Sequence, residues 1–161
     1  MAIEYFLKID GIPGESQDSK HKGEIDVESW SWGETNPVPP GPVGGGAAAG
    51  KVHVQDFNFT ARISKASPNL MLACATGKHF KSAILTARKA GKPGIEFLTF
   101  SLSDVLLTSY QTGGVEGDVV PTDAVSLNFS KIQVEYKEQK ADGTLGASVK
   151  AGWDAKQNKK L

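Results

Sequence analysis

The sequence predicts a mainly β fold curled into a barrel, and three observations carry that reading. Several segments alternate apolar and polar residues with a period of two, only one stretch has helix start and stop signals, and no βαβ alternation or internal repeat is present. Three of the alternating segments also change phase partway. Ile25 and Val27 give way to Trp30 and Trp32; Val52 and Val54 to Phe57, Phe59, Ala61 and Ile63; Val125, Leu127 and Phe129 to Ile132, Val134 and Tyr136. A one-residue slip sends side chains to the opposite face, so each change predicts a β-bulge, the first near Glu28 and Ser29 unless that strand is covered on both faces. Bulges concentrate where sheets bend or barrels close.

In chain order, residues 3–10 predict a first strand, with Ile3, Tyr5, Leu7 and Ile9 on one face and Phe6 the one interruption on the other. The polar run 15–23 predicts a surface loop with His21 as a solvated side chain. The second strand, 24–34, leads straight into residues 36–50, a proline-rich then glycine-rich stretch that can bury almost nothing. Fifteen extended residues reach roughly 50 Å, and structureless runs of that length inside compact domains are usually functional or disordered. The stretch predicts an arm for a neighbouring subunit, with Pro37, Val38, Pro39, Pro40, Pro42 and Val43 as the contact residues.

Ser67 as N-cap, Pro68 at the first helical position and Gly77 as a left-handed terminator predict one short helix, with Leu70, Met71 and Cys74 packing into the core. It is too short to hold alone in water and must lean on the sheet. Residues 83–88 predict a strand, 91–94 a turn, and 95–102 with 105–110 either paired strands or one long bent strand. Residues 112–118 predict a second loop, Asp142 and Gly143 a turn, and 149–155 a last strand carrying Trp153, giving eight or so strands and one helix. Trp30, Trp32, Phe57, Phe59, Leu70 and Phe129 are the expected framework of the core.

At 161 residues and 17.1 kDa the chain suits one domain, residues 1–161, and its 18 Lys and Arg balance 18 Asp and Glu. Without net charge there is no global field to draw nucleic acid or an anionic membrane, so neither is an expected partner. One cysteine, Cys74, excludes an internal disulfide and a cysteine-based zinc cluster. The N-terminus lacks a basic region followed by an apolar run, and no stretch nears the ~20 apolar residues a membrane-spanning helix needs. The expectation is a cytoplasmic protein that, if secreted, leaves without a cleaved signal peptide.

Chemistry is sparse. Residues 45–51 match the first seven positions of a phosphate-binding loop, but Val52 replaces the metal-binding Ser or Thr and a strand pattern follows where a helix should begin. His21, His53 and His79 lie far apart, and neither a nucleophile-elbow motif nor a thiol in a reactive setting is evident. The basic clusters at 78–92 and 150–160 lack the interleaved aromatics used to stack bases. No enzyme activity, cofactor or metal is therefore expected. A subunit of an assembly and a monomeric barrel binding a ligand or glycan through Trp30, Trp32 or Trp153 both stay open on these grounds.

Ordered segments along nearly the whole chain carry a resemblance: residues 6–9, 14–16, 24–27, Trp30-Ser31-Trp32-Gly33, 50–56, 67–71, 77–79, 88–91, 127–129, 139–143 and 152–153. Together they resemble the Hcp family, the hemolysin-coregulated proteins of the type VI secretion tube. The resemblance implies a β-barrel of two packed sheets with one flanking helix, closing into hexameric rings that stack into a hollow tube. It implies a spike protein, a contractile sheath and small effectors as partners, with effectors held in the lumen. By resemblance Ser31 faces that lumen, and parity agrees: with Trp30 and Trp32 inward, Ser31 points out. The proline-rich arm departs from the family pattern, and few residues follow Trp153, so no C-terminal toxin domain is expected.

Overall fold

The computed structural model describes residues 2–37, 51–117 and 120–161. Of the expected arm contacts, Pro37 is described and exposed, while Val38, Pro39, Pro40, Pro42 and Val43 lie outside the described residues. The elements are β1 (Ile3–Ile9), β2 (Ile25–Val27), β3 (Ser29–Ser31), β4 (Glu34–Thr35), β5 (His53–Val54), β6 (Phe57–Arg62), α1 (Ala66–Thr76), β7 (His79–Lys89), β8 (Ile95–Gly113), β9 (Thr122–Asn128), β10 (Lys131–Gln139), β11 (Leu145–Asp154) and β12 (Lys159–Lys160). The fold is mainly β with one short helix. A longer sheet runs β12-β11-β10-β8-β7-β1-β2, and a shorter one runs β8-β9-β6-β3, so that β8 belongs to both.

The two apolar stretches at 95–102 and 105–110 are one long bent strand. Its first half pairs with β7 and β10 and its second half with β9, and Asp104, with φ 54, sits at the changeover. The side chains trapped between the sheets include Leu7, Phe57, Phe59, Leu85, Leu102, Val105, Val125 and Leu127, all essentially inaccessible. Phe129 and Leu70 are buried beside them. Trp30 and Trp32 are half-buried against this core. The Trp30 ring lies parallel to Phe57 at 5.8 Å and tilted on Phe100 at 5.0 Å, and Trp32 meets Phe100 and Phe129 at 6.4 Å each.

The three phase changes are not bulges but breaks between strands. At Glu28 the chain leaves β1, the partner of β2, and joins β6, the partner of β3. Gln55 and Asp56 separate β5 from β6, and Phe129 and Ser130 separate β9 from β10. At Glu28 and at 129–130 the chain crosses between the longer and the shorter sheet and must re-aim its apolar side at the shared core, which shifts the alternation; β5 instead pairs with β4 in a separate two-stranded sheet. Register shifts within paired strands fall elsewhere, at Ala87/Arg88, Leu107/Ser109 and Lys137/Gln139.

The helix begins differently from expectation. Ser67 is not its N-cap: Ser64 Oγ accepts from the Ala66 amide at 3.1 Å, and Ser67 Oγ accepts from the Ser64 amide at 3.0 Å. The cap position itself is Lys65, which makes no side-chain hydrogen bond to the first turn, so the two serines fasten the turn from either side of it. Ser67 also donates to the buried carboxylate of Asp123, which Tyr110 reaches at 2.9 Å, tying the helix to β8 and β9. Gly77 closes the helix at φ 67, its amide on the Ala73 carbonyl. Leu70 and Ala73 face the core, Cys74 is half-buried, and Met71 is 52% exposed, against expectation. Because residues 70–74 are apolar all round, their sequence does not define an inward face.

Truncating Phe57→Ala removes the ring on which Trp30 stacks, and it is expected to cost about 3–5 kcal/mol, read as a lowered urea midpoint in tryptophan fluorescence.

Candidate functional site

The face of the shorter sheet that points away from the core is built by parity. In β6 and β9, Phe57, Phe59, Val125 and Leu127 point inward, so Asn58, Thr60 and Ser126 must point out. Register then aligns them across four strands. Ser31 pairs with Asn58, Asn58 with Ser126, and Ser126 with Ser109, while Ser29, Thr60, Ala124 and Gln111 form the next row. The rows line a shallow hollow of 310 Å³.

Every polar side chain of the two rows is a neutral hydroxyl or amide. Ser29 and Thr60 share a hydrogen bond at 2.5 Å, and Ser126 donates to Asn58 Oδ1 at 2.5 Å. At the rim Asp56 accepts from Thr108 at 2.7 Å and Asn128 at 3.0 Å. Among the described residues, no imidazole or amine is hydrogen-bonded to these hydroxyls to prime one as a nucleophile. The face can exchange hydrogen bonds with a surface laid on it and release that surface again. Ser31 is exposed in the middle of it, and the Trp32 indole donates to the Gln55 carbonyl at 3.0 Å. Of these residues Ser31 is the one the sequence reading assigns to the site. The others carry a parity signal, but only pairing register sets them side by side.

Titratable groups cluster elsewhere, over the outer face of β1 and β7. His21 is buried, not solvated: its Nδ1 lies 2.9 Å from Glu24 and its Nε2 2.6 Å from Glu96, a residue far away in sequence. Its ring stacks on Phe6 at 4.4 Å, and the Arg88 guanidinium covers Phe6 at 4.8 Å. Phe6, which interrupts the alternation of β1, is thereby buried. Arg88 binds Glu4 and Asp18 at 2.6 Å each. An imidazole facing two carboxylates satisfies both only when doubly protonated. Burial pushes the His21 pKa down, but the hydrogen bonds to Glu96 and Glu24 outweigh it and the net shift is upward. The hydrogen bonds from Arg88 lower the Asp18 pKa to about 2. The cluster is a clasp that pins the loop between β1 and β2.

Two remaining motifs lose their chemistry. His79 lies 3.1 Å from Asp104, and Lys51 is followed by strand β5, where a phosphate-binding loop is followed by a helix. Among the described residues, no group of three or more His, Cys, Asp or Glu is placed to hold a metal ion, and no helix is long and apolar enough to cross a membrane.

Comparison with known proteins puts this geometry in context. A family model described as "Type VI secretion system effector, Hcp" matches residues 6–136. The chain is 49% identical over 160 residues to Protein hcp1 of Pseudomonas aeruginosa, covering 98% of each. It is similar to the crystal structure of Hcp1 from Salmonella typhimurium, with 38% identity, TM-score 0.83 and full coverage of both chains. A crystal structure described as a type VI secretion system effector from Yersinia pestis matches at 34% identity and TM-score 0.75, covering 93% of this chain and 98% of that one.

The clasp generates a pH dependence with a definite sign. Since the folded His21 pKa lies above its ordinary 6.5, the stabilisation is complete below that value and is lost as pH rises through the folded value. The Asp18 contribution runs the other way, present above the ordinary carboxylate range and lost as pH falls towards about 2. Urea midpoints are expected to fall on the alkaline side of the imidazole range. His21→Gln should be less stable by roughly 2 kcal/mol at mildly acidic pH and should lose that alkaline slope.

Proposed function

The chain belongs to the Hcp family of type VI secretion proteins, a structural and non-enzymatic family, and on that premise we propose that it is the repeating subunit of the secretion tube. Residues 1–161 act as one domain, six copies close into a ring, and rings stack around a continuous channel. The observation that carries this reading is the hydroxyl and amide face of the shorter sheet. Turned inward in a ring, its two central rows give a lumen wall with neither the large apolar side chains that would trap a passing protein nor the charge that would select by sign.

Ser31, with Asn58 and Ser126 in its row, holds effectors there through hydrogen bonds loose enough to release them. The arm, residues 36–50 with Pro37, Val38, Pro39, Pro40, Pro42 and Val43, contacts the adjacent ring, and prolines reduce the entropy lost when it docks. The spike protein, the sheath and the effectors are the partners of the assembled tube. A monomeric glycan-binding barrel is the weaker reading, since Trp30 and Trp32 are packed on Phe57, Phe100 and Phe129.

Light scattering with negative-stain microscopy tests the reading: rings are expected, and a species that stays at 17.1 kDa at every concentration refutes them. Ser31→Gln is expected to assemble normally and to recover severalfold less coexpressed effector on affinity purification. Unchanged recovery removes Ser31 from the binding face.

A further inference from the structure

The two central rows of the shorter sheet are neutral, but the row beyond Ser31 is not. Two residues along from Asn58 and Ser126, on the same face by parity, stand Asp56 and Asn128. Thr108 joins them because the register of β8 against β9 skips it between Leu107 and Ser109, and a residue left unpaired in this way can turn its side chain onto the face. The Asp56 carboxylate accepts from Thr108 through Oδ2 and from Asn128 through Oδ1. Both donors are neutral, and among the described residues no lysine, arginine or histidine pairs with this carboxylate.

The hydroxyl hydrogens here are spent within the face. Besides what Asp56 receives on its side chain, the Asn58 amide donates to the Asp56 main-chain carbonyl at 3.2 Å, which turns Asn58 Oδ1 towards Ser126, and the Ser126 hydroxyl donates to that oxygen. A hydroxyl has one hydrogen and two lone pairs, and a carboxylate accepts about four hydrogen bonds. Each amide keeps one hydrogen, but Thr108, Ser126 and Asp56 have only lone pairs and one negative charge left to offer outward. Thr108, Asn128 and Asn58 are exposed and Asp56 is half-buried, so these oxygens are open to a partner.

We propose that Asp56 and the oxygens beside it form an acceptor-rich site that takes a cationic segment of an effector, a lysine or arginine side chain reaching Asp56 while the flanking residues lie on Asn58, Ser126 and Ser31. The inference rests on the lumen reading and names the chemistry the lumen selects. An ammonium or guanidinium is donor only and complements oxygens whose own hydrogens are committed elsewhere. An acidic segment meets the same oxygens with like charge and no hydrogen to give. One exposed ion pair contributes little, but in a ring Asp56 recurs at the same height in every copy, and contacts made by one bound chain reinforce each other.

Fluorescein-labelled decamers of lysine, of glutamate and of alternating glycine and serine, followed by anisotropy against purified rings, test the site. The lysine decamer is expected to bind severalfold more tightly than the other two and to weaken as salt is raised. Asp56→Asn should lose that preference and Asp56→Glu should keep most of it. Glu28→Gln, which neutralises a carboxylate of the separate acidic hollow beside β2, should leave it unchanged. Light scattering and urea midpoints check that each variant is still a folded ring. Wild-type rings that bind the lysine and glycine–serine decamers equally overturn the inference without recourse to any variant, and so does an Asp56→Asn ring that binds lysine as the wild type does. In either case the lumen reading stands if Ser31→Gln still loses effector. Effector recovery that Ser31→Gln leaves unchanged overturns the lumen reading and the inference with it.

Discussion

Strand β8 has to serve two sheets at once, and the left-handed backbone at Asp104 lets it do so. That conformation costs a non-glycine residue about 1 kcal/mol, though aspartate tolerates it better than most. The Asp104 side chain offsets the cost. Its carboxylate accepts from Ser130 at 2.6 Å and Lys156 at 3.1 Å and lies 3.1 Å from His79, and these hydrogen bonds, Ser130 foremost, hold it well below the usual carboxylate range. Those three partners come from the corner after β9, the turn after β11 and the start of β7. The bend in β8 is therefore anchored to the elements it must keep in register, and the core between the sheets forms only because both halves of β8 face it.

The clasp and the hydroxyl rows of the shorter sheet are opposite uses of polar groups. Around His21 and Arg88, charge is concentrated and partly desolvated, each donor has a carboxylate, and the result is a fixed loop. In the two central rows of the shorter sheet the groups are neutral, shallowly placed and bonded to each other. Perturbed titration here marks a structural fastening.

Within the clasp, the sequence position of Phe6 looked like a fault in an alternating strand. Its burial under His21 and Arg88 shows that both faces of β1 are covered, one by the core and the other by a loop that residue type alone marks as solvated. Glu96 lies far along the chain from His21, and no local pattern announces a contact of that range. The same limit applies to Ser67, a good N-cap by type, which is committed instead to Asp123 across the fold.

The sequence by itself determined the mainly β class, the one helix and its glycine stop, the inward aromatic residues and the outward parity of Ser31, because each depends on the alternation or spacing of near neighbours. It also marked residues 28, 55–56 and 129–130 as irregular. Only the tertiary structure decided that 28 and 129–130 are crossings between the two sheets, that 55–56 leaves a separate two-stranded pairing of β4 with β5, and that Ser31, Asn58, Ser126 and Ser109 form one row. The physical reason is common to all three. Strand pairing joins residues distant along the chain, and its register is set by how both faces of every strand are buried together.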